Sequence, residues 1–242
     1  MNNPEWISHR GLDEHYTENS RHAFDAARDA GFRHLETDLR STRDGHLLLH
    51  HDRDLYRTTG HRASLSDLSM DDARQVRYTD GQGILTFDDF AEHFHDNRWI
   101  LDIKPEAGER TIKALNDWAE KNRCKEWLTR NARFLLWDPR QRQLLLRYFP
   151  SAHILADEKQ CRRAGLSILM GLPGLARIRP EMTYALPPRF MGRDLFNNRI
   201  LRHYHRKGAR FLAYLPERRE DIERAVESGA DEVLINGRPL NR

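Results

Sequence analysis

A chain of 242 residues with 40 basic and 37 acidic side chains has a formal charge of only +3, so both signs are densely mixed over its surface. Six of the basic residues are lysine, and the arginines run along the whole chain with no compact basic tract, which argues against a nucleic-acid-binding arm. No apolar run approaches the ~20 residues of a membrane span, so no stable membrane insertion is expected.

The opening MNNPEWISHRG lacks a basic region followed by an apolar core, and no signal peptide is expected. Cys124 and Cys161 have no zinc-site spacing; a reduced pair is the default, with one disulfide left open. Together these features predict a cytoplasmic protein.

In chain order, short apolar runs alternate with helical patterns. Residues 6–9 read as a strand, 20–30 as a helix stopped by Gly31, and 34–39 as a second strand. Asp44-Gly45 is a turn signal that leads into a short strand at 47–50, an excursion from the second strand. The stretch 54–72 is polar and turn-rich, with Ser66 expected to cap a short helix. Helix 87–95, strand 99–104, helix 109–122, strand 133–137, helix 140–149 and strand 153–156 follow. Residues 167–189, with four prolines, fit the alternation least, although 182–186 reads as a strand. Helix 197–207, strand 210–214, helix 220–228 and strand 232–236 close the series. Eight strands joined mainly by helices predict an α/β fold of the (β/α)8 TIM-barrel type. One domain is expected over 1–242, with a small insertion after the second strand at about 44–85.

Four features fall at or just beyond the carboxyl ends of the first three of these strands, the rim on which barrels build their sites. They are His9-Arg10-Gly11, Glu36-x-Asp38, His51-Asp52 and Asp102-x-Lys104. Residues i and i+2 of a strand share a face, so Glu36 and Asp38 point the same way, as do Asp102 and Lys104. Carboxylates so placed repel one another unless they share a proton, meet solvent or hold a cation. Three acids from neighbouring strands suit a hard divalent ion. His9 and His51 titrate near neutrality, and Arg10 and Lys104 could hold phosphate oxygens.

The pattern SHRG, TENSRHAF, HLETDLRSTRDGHLLLHHDRDLYRTTG and ILDIKPE resembles the glycerophosphodiester phosphodiesterase family over roughly the first 106 residues. A weaker echo lies in FLAYLPERREDIERAVESGADEVLI. The resemblance implies a TIM barrel, one divalent cation (Mg2+ or Ca2+), and hydrolysis of a small-molecule glycerophosphodiester to glycerol 3-phosphate and an alcohol. It places the two catalytic histidines on His9 and His51 and the metal ligands on Glu36, Asp38 and Asp102. His50 occupies a place usually apolar, which leaves His51 as the candidate. Arg10, Glu18 and Lys104 fall on the family's HRG arginine, motif glutamate and post-ligand lysine, and Tyr214 stands where an aromatic wall of the pocket is common.

The chain also departs from that pattern. Asp102 replaces a glutamate, shortening the reach by about 1.5 Å, one C–C bond. Closure around the shorter arm, a bridging water or weak metal binding all remain open. The stretch 135–138 lacks the serine-rich SSFD type of sequence, and Asn236-Gly237-Arg238-Pro239 replaces a Thr-Asp…Pro ending. Two further readings stand beside the main one: a lysophospholipase D on the same barrel, and a barrel that binds phosphoesters without catalysis. No exposed apolar helix that would dock on a membrane stands out in the sequence.

Overall fold

The computed structural model describes residues 3–240. In chain order the elements are β1 (Glu5–His9), α1 (Arg21–Asp29), β2 (His34–Ser41), β3 (Leu47–Leu49), α2 (Tyr56–Thr59), α3 (Met70–Gln75), α4 (Phe87–His93), β4 (Arg98–Ile103) and α5 (Gly108–Lys121). Then follow α6 (Lys125–Asn131), β5 (Ala132–Leu136), α7 (Pro139–Tyr148), β6 (His153–Ile154), α8 (Glu158–Leu169), β7 (Thr183–Leu186), β8 (Arg189–Phe190) and β9 (Arg193–Asp194). The last are α9 (Asn198–His205), β10 (Arg210–Tyr214), α10 (Arg219–Glu227) and β11 (Glu232–Ile235). Contacts divide the chain into two compact units, one holding Ser8–His153 and the other Ile154 onward together with the residues up to Ile7.

In the first unit, β2, β4 and β5 run parallel, with Asp38 facing Asp102 and Asp102 facing Leu135 in register. Both β2 and β4 are buried along almost their whole length, as parallel strands covered on both faces must be. Helix α1 begins at Ser20, whose side chain accepts the Ala23 N–H, and buries Ala23, Phe24 and Ala27. Phe24 then meets Phe90 of α4 at 5.0 Å between ring centroids, and Phe90 meets Trp99 of β4 at 5.1 Å. These aromatic contacts hold α1 and α4 over the strands.

The segment between β2 and β4 is built as expected in outline. Strand β3 pairs antiparallel with β2, and Leu48, Leu55, Leu65, Met70, Ala73, Val76, Tyr78 and Ile84 form a core of their own. The helix cap differs from the expectation. Ser66 lies inside a 3-10 turn, and Ser69 caps α3, because Asp72 at the third helical position returns a bond to the Ser69 backbone.

In the second unit β7, β10 and β11 are parallel neighbours, packed over Tyr184, Tyr204 and Phe211. Helix α8 was not expected. Its capping box, Asp157 with Gln160, is legible in the sequence, but Gly165 and Ser167 interrupt the helical pattern. A Cβ on Gly165 would lie 3.0 Å from the Leu186 side chain of β7, so glycine eases the close approach of α8 to that strand. Helix α6 is likewise additional, a short helix that starts after Cys124.

Candidate active site

The turn after β1 begins the site. Arg10 and Gly11 both have positive φ, and a Cβ on Gly11 would sit 2.6 Å from the Ala23 backbone carbon. Only glycine lets α1 approach this closely. The tripeptide Glu18-Asn19-Ser20 then does three jobs. Glu18 accepts from Arg10 Nη1 at 3.2 Å and from Arg57. Asn19, itself at φ 56°, donates to Asp38 Oδ2 at 2.7 Å and accepts from the Thr37 hydroxyl. Ser20 caps α1.

Strand register supplies the acidic trio. Asp38 and Asp102 are partners across β2 and β4, and Glu36 shares Asp38's face. Oxygens of Glu36, Asp38 and Asp102 lie within 4.8 Å of one another, all three residues being buried. Lys104 Nζ reaches Asp38 Oδ1 at 2.7 Å and Asp102 Oδ2 at 2.6 Å, and Arg10 Nε reaches Asp38 Oδ2 at 2.9 Å. Two cationic side chains thus face three carboxylates, which leaves one negative charge over.

That excess is relieved at Glu36, where a proton is most favoured. Burial, then the neighbouring Asp38 and Asp102, push its carboxyl well above the usual range. Burial would also raise Asp38, but the Lys104 ammonium and Arg10 guanidinium outweigh it and hold that carboxyl at about 2. Asp102 is raised, burial exceeding the pull of Lys104. Lys104, which burial alone would lower, is raised by Asp38 and Asp102.

The trio fits a hard divalent cation. Glu36 Oε2 is buried without a hydrogen-bond partner among the described residues. Asp38 Oδ1 and the two Asp102 oxygens each face one N–H donor and keep a second lone pair. Glu36, Asp38 and Asp102 would be the ligands, and a dication would replace the proton that Glu36 otherwise favours.

Two imidazoles lie near the trio. His9 Nε2 is 3.8 Å from Glu36 Oε2. His51 follows directly on His50, whose backbone N–H donates to the Asp38 carbonyl at 3.0 Å. The His51 Nδ1 lies 2.8 Å from Asp52 Oδ1. Asp52 is lowered, burial being outweighed by its bonds from Arg57 and His51. An ionised Asp52 accepts from Nδ1–H, so Nε2 carries the lone pair in the neutral ring. His50, by contrast, is buried, held through Nε2 to the Asp54 carbonyl and stacked on Tyr78. Tyr214 ends β10 in the second unit, partly exposed.

Several contributors went unnoticed in the sequence. Arg40, on the Glu36–Asp38 face of β2, donates to the His50 and His51 carbonyls and pairs with Glu106 at 3.0 Å. It fixes the backbone that carries His51. Trp137, just beyond β5, donates its indole N–H to Asp102 Oδ1 at 2.6 Å and sets its ring 5.6 Å from the Lys104 ammonium. Its backbone N–H is held by Gln141, which also donates to the Lys104 carbonyl. The position of Trp137 at the carboxyl end of a strand was the available signal for it.

The family model of the glycerophosphoryl diester phosphodiesterase family matches residues 9–237. The chain belongs to this family. It is thereby one of the phosphoric diester hydrolases. A probable glycerophosphodiester phosphodiesterase of Mycobacterium tuberculosis is 34% identical over 119 residues, 48% of this chain and 45% of that protein. The glycerophosphodiester phosphodiesterase of Caldanaerobacter subterraneus subsp. tengcongensis is 24% identical over 95% of this chain and 93% of its own length. Among solved structures, a glycerophosphoryl diester phosphodiesterase domain from Mycobacterium tuberculosis superposes with a TM-score of 0.82 at 13% identity, covering 98% of this chain and 97% of that one. A glycerophosphodiester phosphodiesterase from Thermotoga maritima gives 0.71 at 21% identity, covering 98% and 96%. These likenesses establish the (β/α)8 TIM-barrel fold.

Proposed function

We propose that the chain hydrolyses glycerophosphodiesters to glycerol 3-phosphate and an alcohol. The observation that carries this reading is the convergence of Glu36, Asp38 and Asp102, one negative charge in excess, beside His9 and near His51. A divalent cation, Mg2+ or Ca2+, held by those three acids would polarise a phosphoryl oxygen and gather the diester's negative charge. Arg10 and Lys104 neutralise charge on the non-bridging oxygens, where preorganised donors are most effective. His9 and His51 act as the acid/base pair, one taking a proton from the nucleophile and the other returning one to the leaving alkoxide. Asp52 holds the His51 tautomer, and Arg57 and Arg40 hold Asp52 and the His51 backbone in turn.

Glycerophosphocholine, glycerophosphoethanolamine and lysophosphatidylcholine, assayed side by side with coupled detection of glycerol 3-phosphate and of the released choline or ethanolamine, test this reading. The two glycerophosphodiesters should release glycerol 3-phosphate, EDTA should stop release, and Mg2+ or Ca2+ should restore it. His9→Ala and His51→Ala should each lower turnover by about 10²- to 10⁴-fold in folded protein. Hydrolysis of the lysophospholipid alone would make it a lysophospholipase D. No hydrolysis of any diester with metal present would leave a binding protein.

A further inference from the structure

The second unit exposes a set of large apolar side chains outside any regular helix or strand. Met170, at the C-cap of α8, is 70% exposed. Leu172 is 49% and Leu175 61% exposed, before and within the 3-10 turn Pro173–Ala176. Met191, at the tip of the β8–β9 hairpin, is 82% exposed. The Arg193 guanidinium donates to the Leu169 carbonyl at 3.5 Å, tying the hairpin to the end of α8 so that the two apolar segments adjoin.

The charge around them is one-sided. Across 170–194 four arginines, at 177, 179, 189 and 193, stand against Glu181 and Asp194. Asp194 is already taken by Arg189 at 2.9 Å. Roughly a tenth of the chain therefore carries +2 of its total +3. Arg177, Arg179 and Arg193 are all exposed.

We propose that this face docks the protein on an anionic lipid surface. Met170, Leu172, Leu175 and Met191 enter the boundary between headgroups and acyl chains, and the arginines meet lipid phosphates. A second copy of the chain is the poorer occupant. A two-fold dimer through this face would set arginines against arginines, whereas an anionic bilayer complements them. Docking of this kind is peripheral, and no helix among the described residues is long and apolar enough to cross a membrane. It does not depend on the hydrolytic chemistry, so it stands or falls separately from the activity.

Co-sedimentation of the full chain with phosphatidylcholine vesicles, with and without phosphatidylglycerol, is the test. The chain should bind the phosphatidylglycerol-containing vesicles, leave them as salt is raised, and ignore phosphatidylcholine alone. The Leu175→Glu/Met191→Glu double variant should bind at least about tenfold more weakly. Arg177→Gln/Arg179→Gln, which alters only exposed charge, should lose about fivefold per arginine. Both variants should match the parent in circular-dichroism melting. Three outcomes would overturn the proposal: no binding to anionic vesicles at low salt, undiminished binding by both variants, or a solution dimer that the Leu175/Met191 variant dissolves.

Discussion

Both units bury carboxylates, and they treat them in opposite ways. In Ser8–His153, Glu36, Asp38 and Asp102 converge from β2 and β4, and two cationic side chains face the three acids. In the second unit the buried acids Glu232 and Asp221 are each met by at least one arginine. Glu232, at the first position of β11, meets Arg210, at the first position of β10, at 2.7 Å. Asp221 is bonded by Arg224. The amino ends of barrel strands serve stability and the carboxyl ends serve chemistry, and Glu232 at the start of β11 and Asp102 near the end of β4 follow that division. A buried acid marks a site when its neighbours leave charge over, and a structural tie when they do not.

The contrast can be broken most forcefully at the structural pair. Arg210→Met takes the arginine away from the fully buried Glu232, and chemical denaturation should show a loss of about 3 kcal/mol, with turnover at permissive temperature retained. A fall in turnover without a fall in stability would erase the distinction between the two sets of acids.

On the chemical side, Trp137→Phe removes the N–H that orients Asp102 but keeps an aromatic ring. Calorimetric titration should show the divalent-ion dissociation constant rising about 10- to 100-fold, the usual cost of losing an outer partner of a ligand. Unchanged affinity would mean that Asp102 needs no such tether. In that case the shorter side chain closes on the ion unaided.

The smallest effect concerns His50, adjacent to His51 but with its ring locked. Burial lowers its pKa from the ordinary ~6.5. The unfolded chain therefore takes up the proton first, and the stability due to neutral His50 is lost as pH falls below about 6.5. Thermal melts from pH 8 to pH 5 should show a shallower decline in His50→Gln than in the parent. Equal slopes would place the pH dependence elsewhere.

The fold was largely legible from the sequence. All eight expected strands occur, the one expected over 153–156 only as His153–Ile154, because strands buried on both faces, such as β2, β4 and β11, leave dense apolar runs. Helix α8 was not, since Gly165 looks like a helix breaker until β7 is seen against it. Glu36, Asp38 and Asp102 could be placed by strand alternation, which is a local rule. Trp137 and Arg40 could not be placed, because their partners lie 35 and 10 to 66 residues away along the chain.

Local chemistry along the chain was enough to determine the parallel strands, their order, the acids that share a face and the glycine at the first turn. Periodicity and backbone sterics act between near neighbours and leave their mark in the residue types. Tertiary structure alone decided which donors hold Asp102, which histidine is locked, and that Met170, Leu172, Leu175 and Met191 face outward. These depend on distances between residues far apart in sequence, and an apolar side chain in a loop has the same letter whether it is buried or bare.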